Sequence, residues 1–212
     1  MQLGEDWWQV SRSASSPVME QVKSTGGANQ VEFEKTVLKL KDGHTWRCKP
    51  GWKIFVLGQG ALRFDVPEDW VLTPGEASVK FYDCQPPGDD CCLQVSLLRH
   101  SQIDWSGLPL DQLLRDSVAG RSGELIRHED IHRQSRPGAD CAWVEKHFVD
   151  PQQGKPARSR IMLVRGTQGH ALVTLDFWET DAQRVIPVWD EVLRSVDMGL
   201  KIDDPTMGER RM

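Results

Sequence analysis

RFDVPEDWVL, residues 63–72, reads as a strand that ends on a proline and a second strand that leaves past a tryptophan. Leu62, Phe64 and Val66 alternate with Arg63 and Asp65, the period of two that turns one face of a strand toward a core. Pro67 has no N–H to give a ladder, so the strand stops there or lies at an edge. Trp70, Val71 and Leu72 resume the pattern, and the two pieces read as a hairpin. Upstream, WKIFVLG is a short apolar run bounded by turn residues, the profile of a buried strand. Downstream, VKFYDC and CCLQVSLLRH are further strands, separated by the QPPGDD loop.

The pattern changes at LPLDQLLRDSVAG, residues 108–120. Leu110, Leu113, Leu114 and Val118 recur at helical spacing and make one apolar stripe, and Gly120 is placed to end it. Four strand candidates follow: ELIRHEDIHRQ, CAWVEKHFVD, ARSRIMLVRG and HALVTLDFWE, joined by RPGAD, PQQGK and TQG. A last helix lies in TDAQRVIPVWDEVLRSV, where Pro187 suits a first helical position better than an interior one. Val188, Trp189, Val192, Leu193 and Val196 form its apolar face.

The ends look different. Residues 1–30 read as a flexible arm with at most one short helix around PVMEQVK, and residues 201–212 as a charged, mobile tail. Residues 31–59 read as a hairpin extension: VEFEKTVLKLKDG turns at Asp42-Gly43 and HTWRC returns. The chain of 212 residues fits one medium domain, here residues 31–200, with its core at 60–200. MQLGEDWWQVSRSASS lacks the basic and apolar regions of a secretory signal, and no run approaches the roughly 20 apolar residues of a membrane span. The expected compartment is the cytoplasm. Five cysteines, odd in number and irregularly spaced, fit reduced thiols. The net charge of -5, with no basic run longer than a pair, argues against nucleic acid as a partner.

A strand meander, a helix, four strands and a terminal helix bearing proline form an order that resembles the PsbP-like α/β sandwich group. That group includes the photosystem II extrinsic protein, the Mog family of Ran-binding proteins and the bacterial DcrB lipoproteins. RFDVPEDWVL and PVWDEVLRSV carry the resemblance, and LDQLLRDSV matches the central helix by position, so that residues 60–200 are covered. The resemblance implies an α+β fold, an antiparallel sheet flanked by helices, to which residues 31–59 add an N-terminal β-hairpin. It also implies action by binding other proteins, and relatives of the same fold suggest a chaperone-like adaptor for a secreted effector as a further possibility. None of the group's binding residues matches a motif here.

HEDIH is the sharpest chemical candidate. On one strand, His128, Asp130 and His132 share a face with about 6.5–7 Å between successive side chains. Two imidazoles and a carboxylate suit zinc or iron, with His147 or Glu145 of the next strand to complete the set. A metal-dependent hydrolase, with zinc as its cofactor, is therefore the alternative function. On a helix, His128, Glu129 and His132 would match H-E-x-x-H, but the flanks lack the apolar stripe of such a helix. The simpler reading is a solvated strand face with no cofactor.

Cys91 and Cys92 face opposite ways on a strand and read as structural thiols. LGQGALRF runs into a strand, so its glycines open no phosphate-binding helix. Of nine tryptophans, Trp70, Trp143, Trp178 and Trp189 fall in core elements. Trp7, Trp8 and Trp105 fall in arm or loop, where an indole either packs back on its own domain or anchors a protein partner. The reading is a non-catalytic, protein-binding or accessory domain of a soluble bacterial-type protein, whose partner is another protein and neither nucleic acid nor membrane.

Overall fold

Short alternating runs build one sheet, and the longer runs of the second half build most of another. The computed structural model describes residues 18–25, 32–75, 78–99, 107, 109–119, 124–128, 130–166 and 169–208. The first sheet holds β1 (Val18–Thr25), β2 (Glu32–Lys39), β3 (Trp52–Leu57), β4 (Leu62–Pro67) and β13 (Asp197–Met198), in the order β13-β4-β3-β1-β2. The second holds β5 (Val71–Pro74), β6 (Val79–Tyr82), β7 (Cys91–Arg99), β8 (Glu124–His128), β10 (Ala139–Val149), β11 (Pro156–Arg165) and β12 (Gly169–Trp178). Its order is β5-β6-β7-β12-β11-β10-β8, and β9 (His132–Arg136) also pairs with β10.

Among the described residues every pairing is antiparallel except that of β1 on β3. No helix among the described residues is long and apolar enough to cross a membrane.

The inner faces of the two sheets meet over a core in which the Phe55 ring lies 5.0 Å from Phe64 and 4.8 Å from Phe81. Helix α2 (Ala182–Ser195) closes this core with Val185, Val188, Trp189 and Val192. Helix α1 (Leu110–Ala119) covers the opposite face of the second sheet, where Leu114 is fully buried against Ala142, Val144, Ile161 and Leu163. The α+β class, with an antiparallel sheet flanked by helices, is as expected from the sequence.

RFDVPEDWVL has a different role from the hairpin expected. β4 pairs with β3 and β13, whereas β5 pairs with β6, so the Pro67 turn carries the chain from one sheet to the other. Its N–H groups are satisfied locally, Trp70 to the Pro67 carbonyl at 3.3 Å and Glu68 to the Gly51 carbonyl at 2.9 Å. Proline ends a ladder equally well at a hairpin and at a corner between sheets.

The N-terminal hairpin is present but is built from β1 and β2. PVMEQVK is no helix: from Val18 it is a strand with neighbours on both sides, and Met19 is fully buried. So short a helix gains little alone, whereas the strand gains two ladders. HTWRC forms no return strand, because the C-terminal segment takes its polar groups instead. Trp46 Nε1 donates to the Pro205 carbonyl at 2.8 Å, and the Thr45 N–H to that of Met207 at 2.8 Å. Residues 201–208 are thus a strap, not a mobile tail, with Ile202 and Leu200 packed against Met19, Ile54 and Val56. Gly60 admits the strap: at φ +102° it lies where an added Cβ would come within 2.4 Å of the Leu200 carbonyl oxygen.

α2 begins at Ala182 rather than Pro187. The additional turn buries Val185 completely and pairs Arg184 with Asp83 at 2.8 Å, which offsets the single bond that Pro187 cannot give.

Candidate functional site

β10 and β11 are a hairpin closed by PQQGK, whose register sets Glu145 opposite Arg160 and His147 opposite Arg158. This face is turned toward α2 and water has little access; Glu145 is 1 % exposed. Its Oε1 accepts from Arg158 Nη1 at 3.1 Å and lies 2.9 Å from His147 Nε2, and its Oε2 accepts from Arg160 Nε at 2.5 Å. Arg158 also pairs with Glu179, and Arg160 approaches Asp190 at 3.8 Å. One strand step away, Trp143 lies beneath the Arg160 guanidinium at 5.2 Å, and the His132 ring stacks on Trp143 at 4.2 Å. The two oxygens of Glu145 are both engaged, so the cluster is a closed charge network.

ELIRHEDIHRQ, expected as one strand, is two. β8 and β9 lie along the same edge of β10, with a register shift in the β8 pairing and a break after His128. His128 stands opposite Lys146 and His132 opposite Trp143, positions about 10 Å apart along β10. Asp130 is exposed between the strands, while Glu129 and the His128 side chain lie outside the described residues. His128 ends β8 and His132 begins β9, so the helical H-E-x-x-H reading fails. Among the described residues no group of three or more His, Cys, Asp or Glu is arranged to hold a metal ion. Trp7, Trp8 and Trp105 also lie outside the described residues.

A second charged junction joins the opening stretch to α2, and sequence reading missed it. Asp65 is fully buried and accepts from Arg63 at 2.7 Å, with Arg194 at 3.5 Å. Its N–H donates to Ser195 Oγ at 2.8 Å, and Arg63 donates to the Ser195 carbonyl at 2.7 Å. Arg136 adds bonds to the carbonyls of Leu193, Arg194 and Val196, so two arginines complete the end of the helix. Glu191 pairs with Arg194 and Lys49 beside them. Burial pushes the Asp65 carboxyl up to about 6 despite the nearby Arg63 charge.

Two clefts on the surface are lined by described residues. One, of about 700 Å³, lies between the start of α1 and the β9-β10-β11 corner, lined by Asp111, Arg115, Arg133, Ser135, Asp140 and Arg165 among others. The other, of about 180 Å³, is lined by Asp89, Asp90, Cys92, Asp150, Asp176 and Trp178 among others. Cys141 and Cys92 border the first and second, and burial pushes each thiol up to about 11. Cys48 is raised to about 11 and Cys91 is raised too, both chiefly by burial. Thiolate is the reactive form, so none of these four is activated near neutral pH. At pH 7.5 iodoacetamide will modify the exposed Cys84 first and slowly, and the other four only on unfolding. Intact-mass kinetics check this; rapid native labelling of Cys92 or Cys141 would contradict it.

A family model described as Alr1449 matches residues 53–202. The uncharacterized protein alr1449 of Nostoc sp. (strain PCC 7120) is 40% identical over 181 residues, covering 85% of this chain and 94% of its own. Among solved structures, cyanobacterial PsbP (CyanoP) from Synechocystis sp. PCC 6803 aligns with a TM-score of 0.46 and 18% identity, over 73% of this chain and 99% of that one. The Saccharomyces cerevisiae Ran-binding protein Mog1p aligns with a TM-score of 0.40 and 11% identity, over 65% of this chain and 90% of that one. Both are members of the PsbP-like group that the sequence resembles. The match to the family model and the extent of the Nostoc relative lead to one assignment: the chain belongs to the Alr1449 family.

Proposed function

We propose that this domain binds another protein and performs no chemistry of its own, in the cytoplasm and without a cofactor. The observation that carries this reading is the state of its reactive groups. Asp65 is sealed from solvent, Glu145 is held by two arginines, and the thiols bordering both cavities are kept protonated. A nucleophile or general base needs the opposite condition, a group accessible to substrate and poised near the working pH. The separation of His128 from His132 along β10 gives the metal-dependent hydrolase no support, and no observation favours the effector adaptor.

Trp7, Trp8 and Trp105 are the proposed anchors, because an indole joins a large apolar surface to one N–H donor. Tagged protein purified from its native host will bring down one protein in stoichiometric amount. The triple replacement W7A/W8A/W105A will lose it while keeping the same thermal midpoint. Retention of the partner by the triple variant would remove the three indoles, and the absence of any stoichiometric partner would remove the binding role itself.

A further inference from the structure

We propose that the cleft beside α1 binds a small organic anion, gripping its carboxylate or phosphate group with Arg115 and Arg133. At about 700 Å³ the cleft falls within the roughly 300–1,000 Å³ of ordinary small-molecule sites. Its construction is also of that kind, with Leu110 and Ala142 as apolar floor and polar groups converging from a helix and three strands.

The charge is what selects the ligand. Three guanidinium groups, Arg115, Arg133 and Arg165, face two carboxylates, Asp111 and Asp140, so the lining is locally positive in a chain whose net charge is -5. Arg133 Nε donates to Asp111 Oδ1 at 3.1 Å, a pair whose arginine side chain is 64% exposed. Arg133 Nη2 makes a second bond, to Asp111 Oδ2, so the pair is bidentate, and a ligand anion shares Arg133 through its remaining N–H groups with Asp111 in place. Arg115 follows Asp111 by four residues on α1 and so lies on the same side of the helix. Among the described residues it has no ion-pair partner. Two planar guanidinium forks facing one space suit the paired oxygens of a carboxylate or a phosphate. Gln112, whose amide donates to Asp116 at 2.9 Å, has a second N–H to offer at the rim, whereas the Ser135 hydroxyl is bonded to Asp140. A concave, partly apolar space favours a compact organic molecule over an extended acidic segment of a protein.

The test uses the full chain at low ionic strength, titrated with citrate and separately with inorganic phosphate, and read by calorimetry and amide chemical shifts. Saturable binding is expected, with R115Q and R133Q each weakening it by about five-fold or more. K39Q removes an exposed charge from β2, at the edge of the other sheet, and should leave affinity unchanged. Arg115 is exposed on its helix, so an unchanged thermal midpoint without ligand will show that R115Q is folded. No saturation by about 10 mM of either probe would overturn the proposal. So would equal weakening by K39Q, which would mean diffuse attraction only. Binding of a glutamate-rich peptide with none of citrate or phosphate would also overturn it, in favour of an acidic protein segment.

Discussion

Replacing Glu145 by alanine will cost about 3–5 kcal/mol of stability, because it leaves the buried Arg160 without its carboxylate. Arg160 is 8% exposed and its other acidic neighbour, Asp190, is 3.8 Å away and mostly solvated. Arg158 keeps Glu179, so the penalty falls mainly on Arg160. For a domain of this size the thermal midpoint will fall by roughly 10 °C, at about 2–4 °C per kcal/mol. Urea unfolding measures the loss directly. The double replacement of Glu145 by leucine and Arg160 by methionine should recover most of it, since an apolar pair of similar volume avoids desolvating two charges. A loss below about 1 kcal/mol in the alanine variant would show that water already reaches the network.

The Asp65 junction will make stability depend on pH in the sense opposite to most carboxylates. Its carboxyl is raised from 3.8 to about 6 in the folded chain, so the folded state holds the proton more tightly than the unfolded state. Below about pH 3 both states are protonated and the contribution is fully present. As pH rises toward 6 the unfolded state ionises first, and about 3 kcal/mol of stability is lost across that window. The D65N variant carries no proton to lose. Its stability relative to the native chain will therefore rise by about 3 kcal/mol between pH 3 and pH 7. Asp83, held below the usual carboxylate range, acts in the reverse direction in both proteins and cancels, whereas Glu191 shares Arg194 with Asp65, so the difference reports the Asp65 junction as a unit. Urea unfolding at a series of pH values gives this difference, and a difference that stays constant would refute the buried charge.

Much of the fold was legible from residues 52–100 and 139–178, because β3, β4, β7 and β10–β12 show apolar alternation or short apolar runs between turn residues. Strand partners were harder to read. Pro67 marks an end to pairing and says nothing about which sheet receives the next strand. β1 was hidden because its buried positions include Glu20 and Gln21, and Glu20 is buried between Lys35 of β2 at 3.0 Å and Lys53 of β3 at 3.2 Å. That pairing is parallel and distant in sequence, so VMEQVKST by itself looks polar.

The charged network had a usable signal. A hairpin centred in PQQGK sets Glu145 opposite Arg160 and His147 opposite Arg158, so opposite charges coincide on one face. The Asp65 junction had none, since Arg194 and Ser195 approach it only once α2 packs on β4. The cleft depends in the same way on where α1 settles over the second sheet.

The strap that joins Pro205 to Trp46 links positions 159 residues apart. During synthesis, Met19, Ile54 and Val56 emerge long before the Leu200 and Ile202 that cover them. The outer face of the first sheet therefore cannot be sealed until residues 200–207 have left the ribosome. Throughout elongation the nascent chain presents that apolar surface to whatever waits at the tunnel exit, and a chain broken off before Leu200 would leave it open for good.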